Sequence, residues 1–186
     1  MRIPYTACFS DVQIRPLEED DLESLRNWRN DRENTKYLRS IGEITSQMQQ
    51  TWFKESLQDE TSYVFAVDCL AGDAGLVGSL AIYDIKGDTA EIGKMLIGPN
   101  ARGKKIGFNS MNLALHIGFQ KLGMERFLLE VHEDNLPAKM NYLHNGFEVC
   151  GDHAFFQGGR EWDMVLTKER FYRLHQDTSD YVIREI

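Results

Sequence analysis

The stretch GPNARGKKIGFNSMNLALHIGF, residues 98–119, passes from a basic turn bounded by glycines into an apolar segment of helical length. Gly98, Gly103 and Lys104 have the spacing of the nucleotide-phosphate loop G-x-x-x-x-G-K-[ST], but the next residue, Lys105, has no hydroxyl for a magnesium ion. A dinucleotide-binding G-x-G-x-x-G is also absent, because no third glycine falls in register. The turn is therefore predicted to bind an anion of neither common kind.

Length and cysteine content indicate one cytoplasmic domain. The chain has 186 residues and no break in composition that would mark a linker, so we expect a single domain over residues 1–186. Cys8, Cys69 and Cys150 are widely spaced and form no C-x-x-C pair, which predicts reduced thiols and a cytoplasmic protein. The N-terminus lacks an apolar signal region, and no apolar run approaches the roughly 20 residues of a membrane span.

The balance of charge narrows the choice of partner. Acidic residues number 29 against 21 basic ones, for a net charge of −8, and this excess opposes binding to nucleic acid or to a membrane surface. The one dense basic patch is Arg102, Lys104 and Lys105, which suits a small polyanion better than a phosphate backbone. We expect no nucleic-acid or membrane partner, and a monomer or homodimer.

The first third of the chain predicts a strand followed by two helices. Residues 11–17 alternate like a strand, and residues 17–31 place apolar side chains at helical spacing after an acidic start. Residues 45–58 predict a second helix, for which Thr45 is the N-cap. The apolar side chains about one turn apart are Leu22, Leu25 and Trp28 in the first helix, and Met48, Trp52 and Leu57 in the second.

The remainder predicts an α+β fold. TSYVFAVDCL, AGLVGSLAIYDI and TAEIGKMLIG are three antiparallel strands joined by the hairpin turns AGDA and KGD. After the helix of the opening stretch, ERFLLEVHED is a strand, a helix runs from Asn135 to about Asn145, and GFEVCGDHAFFQGGREWDMVLT closes as a hairpin around QGG. The order β-α-α-β-β-β-α-β-α-β-β predicts helices packed on a mixed, mostly antiparallel sheet.

In this order the basic turn precedes a helix, where exposed N–H groups and the helix dipole would hold a pyrophosphate. Here the sequence resembles the GNAT superfamily of acetyl-CoA-dependent N-acetyltransferases. Of that family's loop, [QR]-x-x-G-x-[GA], Arg102 and Gly107 match, whereas Lys105 stands at the middle glycine. Lys105 can still offer its N–H if its backbone adopts the required angles. The resemblance implies that acetyl-CoA contacts Arg102, Gly103, Lys104, Lys105, Ile106, Gly107 and Phe108.

A second motif strengthens the resemblance. NLPAKMNYLHNGF satisfies the family pattern N-x-x-A-x-x-x-Y-x-x-x-G-F with Asn135, Ala138, Tyr142, Gly146 and Phe147. Together with the strand order, the resemblance covers most of the chain. It looks most like the subgroup of ribosomal-protein N-terminal and nucleotide-amino-sugar acetyltransferases. WRND (28–31) and LLEVHEDN (128–135) are similar to the sugar enzymes, including the one that acetylates a UDP-4-amino sugar for pseudaminic acid.

Two carboxylates are candidates for the general base that such a transfer requires. Glu130 interrupts an apolar strand on the face of His132, and is either a core carboxylate paired with a basic side chain or a base that acts through a water. Resemblance to the sugar acetyltransferases supports the base. In a regular strand Glu91 shares a face with Gly93 and Met95, and is either a surface carboxylate or a rival base.

Other residues of the second motif have candidate roles at the cofactor. Tyr142 sits two turns beyond Asn135 on one helical face, and is either a packing aromatic or the acid that protonates the departing thiolate. Asn135 is the N-cap and, by the family resemblance, contacts pantetheine, while Lys139 is a surface charge or a CoA phosphate contact. The strand expected to hydrogen-bond the pantetheine amides contributes the backbone of Met95, Leu96 and Ile97.

The acceptor site is predicted less sharply. In such folds the early helices line the acceptor groove, here with Tyr37, Leu38, Trp52 and Phe53, besides Glu91. An aromatic stripe is more often core, which is the interpretation favoured for Trp28 and Trp52. Aromatics beside Arg29 and Asn30 would suit a uracil ring and sugar, whereas a peptide N-terminus would favour an open acidic groove. We expect a nucleotide-linked amino sugar, with a protein N-terminus or a non-catalytic acyl-CoA-binding module as alternatives.

The remaining reactive side chains are predicted to be structural. His116 lies in an apolar helix, where a core histidine is the usual role, and the other histidines lack metal-ligand spacing, so no metal site is expected. Cys150 follows Phe147 and Val149 and is predicted to be a buried thiol rather than a nucleophile. A phosphate-loop NTPase is disfavoured, because no apolar strand ending in Asp follows in the expected context.

Overall fold

The computed structural model of the chain describes residues 4–38, 41–72, 75–155, 158–175 and 180–186. Its strands are β1 (Tyr5–Phe9), β2 (Val12–Pro16), β3 (Tyr63–Cys69), β4 (Gly75–Lys86), β5 (Thr89–Ile97), β6 (Arg126–His132), β7 (Glu148–Ala154), β8 (Arg160–Thr167) and β9 (Val182–Glu185). Its α-helices are α1 (Leu22–Asn30), α2 (Arg32–Thr35), α3 (Ser46–Gln58), α4 (Ile106–Gln120), α5 (Leu136–His144) and α6 (Lys168–Leu174).

The strands form one sheet in the order β7-β8-β6-β5-β4-β3-β2-β1-β9. Among the described strands only β5 and β6 pair in parallel, and every other pair is antiparallel. The predicted α+β fold with a mostly antiparallel sheet is confirmed. The hairpins β3–β4–β5 and β7–β8 pair as predicted, and Gly87 in the KGD turn has a φ of 64°. Parts of the AGDA and QGG turns lie outside the described residues.

The predicted order omitted β1, α2, α6 and β9. The strand β9 has four residues, the helix α2 is a single polar turn, and α6 begins directly after β8. Segments this short carry too few periods of hydrophobicity to be recognised from sequence. Within the described parts of the chain, no helix combines the length and apolar character that crossing a membrane requires.

The larger hydrophobic core lies on the sheet face covered by α4, here called the α4 face. Burial of such side chains is worth about 1.5–3 kcal/mol each. Its members come from α4 and from both halves of the sheet, and include Ile14, Leu80, Ile82, Ile92, Leu113, Leu115, Phe119 and Phe127. The helix α4 is apolar almost all round because this core surrounds it.

The opposite face of the sheet, the α1 face, is only partly covered. A smaller core joins α1 and α3 to β3, and consists of Leu17, Leu22, Leu25 and Ala66 with Trp28, Phe53, Val64 and Leu76 packed around them. The apolar face predicted for α1 is confirmed. The core interpretation of Trp28 is confirmed as well, because Trp28 packs against this smaller core. Over β6 the α1 face is open, because Leu128 and Glu130 are exposed.

Two predictions of burial are wrong. Helix α3 turns Gln49 and Phe53 inward, whereas Met48, Trp52 and Leu57 are exposed, Trp52 by 40%. The core interpretation of Trp52 is therefore wrong. Met48, Trp52 and Leu57 lie on the solvent side of α3, and its inner face includes the polar Gln49. Cys150 is exposed as well, because β7 is the edge strand of the sheet.

His116 is a buried core histidine, as predicted, and it makes the fold sensitive to acid. Its Nδ1 lies 3.2 Å from Gln120 Nε2, and its Nε2 has no hydrogen-bond partner among the described residues. The ring packs on Phe171 and Tyr181. Burial lowers the pKa of His116 from 6.5 to about 4, so the unfolded chain binds a proton that the folded chain excludes.

We predict that the free energy of unfolding falls as the pH drops from 6.5 towards 4, because the His116 pKa is lower in the folded chain than in the unfolded one. The loss from this group reaches about 3 kcal/mol. Urea unfolding of wild type and His116→Phe across this pH range measures this loss. The carboxylates titrate in both proteins, so their contribution cancels when the two free energies of unfolding are subtracted. A difference that does not change with pH would contradict the prediction.

Candidate active site

The strands β5 and β6 separate in the middle of the sheet. They pair only from Thr89 to Glu91 against Arg126 to Leu128, and beyond Glu91 and Leu128 they pair no further. The following residues of β5 keep their partners on β4 but face an opening on the β6 side. Residues 95–97, which were predicted to bind the pantetheine amides, lie in this separated part. We call the opening the split.

A β-bulge in β5 determines which side chains reach each side of the split. Leu80 alone stands opposite two residues, Lys94 and Met95, and Lys94 has a left-handed φ of 49°. The extra residue reverses the alternation, so Met95 and Ile97 pack into the α4-face core while Glu91 lies on the α1 face. The expectation that Glu91 and Met95 share a face is therefore wrong.

The basic turn leads directly into α4, as predicted. A 3₁₀ turn, Pro99–Ala101, is followed by Lys105, which is the N-cap of α4 and has a φ of 60°. This is the left-handed conformation that glycine adopts easily, and it occurs at the position where the resembling motif has its middle glycine. No side chain from the described residues caps the helix, which leaves the N–H groups of its first turn available to an anion.

We predict that Lys105→Gly raises the free energy of unfolding by about 0.5–1 kcal/mol, because glycine adopts a positive φ without a steric cost. Lys104→Gly is the matched control. Its backbone is not left-handed, so the added chain flexibility should destabilise it. Urea unfolding of both variants decides the matter, and an equal loss in the two would show that Lys105 carries no backbone strain.

Arg102 is exposed, and its guanidinium makes two hydrogen bonds within the protein. Its Nε donates to the Ile97 carbonyl at 3.2 Å and its guanidinium donates to Asn34 Oδ1 at 2.6 Å. These bonds tie the turn to β5 and to α2. Lys104 and Lys105 are exposed as well, so the predicted contact of the three cations with a pyrophosphate stays a prediction.

The WRND segment, which suggested a nucleotide site, has packing roles. Trp28 lies against Gly98, where a Cβ would come within 2.9 Å of the indole. Asn30 accepts a hydrogen bond from the Ile44 N–H at 2.8 Å and donates to the Ile44 carbonyl at 2.9 Å. These contacts hold the basic turn and the approach to α3 in place.

Helix α5 borders the split from the α4 face. Asn135 caps it by accepting from the Ala138 N–H at 3.3 Å, as predicted. Asn141 Nδ2 donates to Met95 Sδ at 3.8 Å, which links α5 to the separated part of β5. Lys139 lies with its Nζ 4.2 Å from the Trp162 ring centroid, a cation–π contact in place of a free surface charge.

Tyr142 is the buried tyrosine of α5. It is 8% exposed, and its ring meets Phe147 edge to face at a centroid distance of 6.0 Å. Burial raises the pKa of Tyr142 to about 12, so its hydroxyl remains protonated at neutral pH. The packing interpretation and the acid interpretation are therefore compatible.

Glu130 lies on the open part of the α1 face. The alternation predicted for β6 is confirmed, but the Glu130 side chain is 46% exposed, so the buried carboxylate of the core interpretation is wrong. His153 Nε2 is 4.0 Å from Glu130 and 3.5 Å from Glu161, while its Nδ1 is 3.0 Å from Asp163. Both ring nitrogens face carboxylates, which makes the group a polar network around one imidazole.

Tyr83 is a functional candidate that the sequence did not reveal. It stands opposite Glu91, and a Cβ on Gly93 would lie 3.6 Å from its hydroxyl. Lys94 Nζ lies 3.7 Å from its ring centroid. Burial and the Glu91 carboxylate raise the Tyr83 pKa well above its usual range, with smaller effects from Tyr142 and Glu130. The hydroxyl is thus a persistent donor at the start of the split.

The predicted acceptor residues of the early helices occupy different environments. Tyr37 stacks on His132 at a centroid distance of 5.6 Å, and Lys36 Nζ lies 4.6 Å from the same ring. Phe53 is partly buried and packs against the smaller core. Leu38 is half-buried and Trp52 is exposed. Tyr37 is the member that the structure brings next to β6.

A family model and a related protein each match most of this chain. The family model described as "Acetyltransferase (GNAT) domain" matches residues 11–148. The N-acetyltransferase 9-like protein of Caenorhabditis briggsae is 25% identical over 154 residues, which cover 73% of this chain and 67% of the relative.

Solved structures share the fold at lower sequence identity. A spermidine N-acetyltransferase from Vibrio cholerae in complex with CoA and spermine has a TM-score of 0.79 at 22% identity, covering 87% of this chain and 98% of that one. A GNAT-family acetyltransferase from Bacillus anthracis has a TM-score of 0.77 at 19% identity, with 88% and 99% covered. At these identities the likeness shows the fold alone.

Proposed function

Because the chain belongs to the GNAT acetyltransferase family and is an acetyl-CoA-dependent N-acetyltransferase, we propose that its acceptor is the primary amine of a small, positively charged molecule. The observation that carries this proposal is the open α1 face beside the split, where Glu91, Glu130 and Asp163 are at least partly exposed. Carboxylates grouped on an open surface attract an ammonium group and repel a diphosphate.

The proposed position of acetyl-CoA follows from the two sides of the split. The pyrophosphate binds the first-turn N–H groups of α4, supported by the free helix end and the exposed Lys104 and Lys105. The pantetheine arm enters the split along residues 95–97, because there the backbone of β5 has no strand partner on the β6 side among the described residues. The acetyl group then lies between Tyr142, on the α4 face, and Glu130, on the α1 face.

The proposed reaction is direct attack of the amine on the thioester. Glu130 removes a proton from the acceptor ammonium, the nitrogen forms a bond to the acetyl carbon, and the carbon–sulfur bond breaks. Tyr142 donates its hydroxyl proton to the departing thiolate. The Tyr83 hydroxyl and the Glu91 carboxylate, opposite each other at the start of the split, hold the acceptor amine.

A nucleotide-linked amino sugar is the second candidate, favoured by the resemblance of WRND and LLEVHEDN to the sugar acetyltransferases. The contacts of Trp28 and Asn30 explain WRND by packing, and Tyr37 has His132 and Lys36 against its ring, which leaves less aromatic surface for a uracil. A cationic acceptor is therefore the better fit. Spermine, bound in the Vibrio cholerae structure of the same fold, belongs to that class.

A thiol-release assay with acetyl-CoA tests the proposal across polyamines, a UDP-4-amino sugar and basic peptides with free N-termini. We expect kcat/KM to be highest for a polyamine, and KM for it to rise with salt, because exposed carboxylates are screened. Glu91→Gln should raise that KM, whereas Glu169→Gln, on the distant helix α6, should not. A preference for the sugar or the peptide would overturn the proposed acceptor, and no thiol release with any amine would overturn the proposed activity.

Gly107→Val is predicted to weaken acetyl-CoA binding about tenfold or more, because its side chain would crowd the Met95 and Asn141 side chains that border the split. A Cβ at Gly107 meets Met95 Sδ at 3.4 Å and Asn141 Nδ2 at 3.6 Å, so a β-branched side chain must displace that contact. Gly107→Ala is the control, since its Cβ makes ordinary contacts. Calorimetry with acetyl-CoA measures both, and unchanged affinity in folded Gly107→Val would place the pyrophosphate elsewhere.

A further inference from the structure

We propose that His153 is a positioning residue for Glu130 and carries the proton removed from the acceptor amine out to solvent. The inference rests on the proposed acetyl transfer. It concerns a histidine of the edge strand β7, outside both sequence motifs of the family resemblance.

The pairing of three strands assembles the network. Glu130 of β6 stands opposite Asp163 of β8, and Glu161 of β8 stands opposite His153 of β7. Their side chains meet on the open α1 face, where the imidazole lies among three carboxylates at 3.0, 3.5 and 4.0 Å. Cross-strand register, rather than sequence proximity, brings His153 to Glu130.

Asp163 fixes the orientation of the ring. Its Oδ1 lies 3.0 Å from His153 Nδ1, so a proton on Nδ1 donates to the carboxylate and Nε2 faces Glu130 and Glu161. Gly151 makes room for this, because a Cβ there would come within 2.9 Å of Asp163 Oδ2. The strand β7 also shifts register between Val149 and Gly151 to reach this position.

The proton follows a short path. It moves from the acceptor ammonium to a Glu130 oxygen, and from there to His153 Nε2, which leaves an imidazolium that releases the proton to water. An acceptor bound over Glu130 occupies the exposed side of the carboxylate, whereas the His153 side chain is 42% exposed and stays in contact with solvent. Glu130 of β6 and Glu161 and Asp163 of β8 face the ring and stabilise its positive charge while it holds the proton.

His153→Gln tests this role, because glutamine can hydrogen-bond but cannot carry the proton. At low buffer concentration we expect kcat to fall by about tenfold or more, with acetyl-CoA affinity and the acceptor KM within about twofold of wild type. Added imidazole should restore much of the lost turnover. His144→Gln, an exposed histidine at the end of α5, is the control and should change none of these constants.

The outcomes separate the two proposals. If the wild-type protein is active and His153→Gln has the same kcat, the relay is overturned and the acetyltransferase proposal stands. A fall in the kcat of His153→Gln that imidazole does not restore would have the same meaning. A wild-type protein that acetylates no amine would overturn both. Restoration confined to His153→Gln, and absent from His144→Gln and wild type, would establish that the missing group is a proton carrier.

Discussion

Replacing Tyr142 with phenylalanine is expected to lower kcat by about 10²–10⁴-fold, the usual contribution of one positioned proton donor. Expulsion of the CoA thiolate is easier when a nearby group supplies a proton, and burial keeps the Tyr142 hydroxyl protonated by raising its pKa to about 12. Phenylalanine keeps the ring that packs on Phe147, so stability and acetyl-CoA affinity should persist. Steady-state turnover and acetyl-CoA affinity, measured on one preparation, check the prediction.

The control for Tyr142→Phe is Tyr63→Phe, a half-buried tyrosine on β3 away from the split. It loses a hydroxyl outside the proposed site and should turn over like wild type. If Tyr142→Phe stays within about threefold of wild type while chemistry is rate-limiting, the residue serves packing alone and the thiolate leaves unassisted or through water.

Glu130→Gln is expected to lower kcat by about 10²–10³-fold, because the amide cannot accept the proton of the acceptor ammonium. The side chain is 46% exposed, so the substitution should leave thermal stability and acetyl-CoA affinity near wild type. Saturation kinetics at several pH values, with thermal unfolding of the same protein, measure both effects. Lost stability with normal kcat would make Glu130 structural.

Glu91→Gln distinguishes the two carboxylates. Glu91 faces the Tyr83 hydroxyl across β4 and β5, and we expect its loss to raise the acceptor KM more than it lowers kcat. A larger fall of kcat in Glu91→Gln than in Glu130→Gln would exchange the two roles. The two carboxylates are assigned different roles because Glu91 lies against a tyrosine, whereas Glu130 lies against a histidine network.

The parts of the site that follow regular periodicity were predictable. The spacing from Asn135 to Tyr142 predicted a helix with Asn135 as its N-cap. Alternation in β6 predicted that Glu130 and its apolar neighbours in the strand lie on different faces of the sheet. The glycine-bounded turn before α4 also lies where the resemblance implies. These predictions depend on local geometry alone.

The missed features depend on single extra residues in strands. Counting back from the KGD hairpin, where Lys86 pairs with Thr89, would place Tyr83 opposite Ile92 on the α4 face. Asp84, with a φ of 50°, shifts the register by one and brings Tyr83 opposite Glu91 instead. The composition of β4 does not indicate this shift. His153 was missed for a related reason, because its neighbours come from the register of two other strands.

In the proposed complex, the bulge at Lys94 lets one strand contact two binding partners, the acceptor amine and acetyl-CoA. Upstream of Lys94, β5 places Glu91 on the α1 face, where we propose that the acceptor binds, and downstream it places Met95 and Ile97 on the α4 face. A substitution at Glu91 can therefore alter which amine is recognised without altering the cofactor contacts. If the proposed roles hold, acceptor preference can change through one half of the strand while the other half keeps its contacts with acetyl-CoA. The inserted residue separates two evolutionary pressures that a regular strand would have to satisfy together.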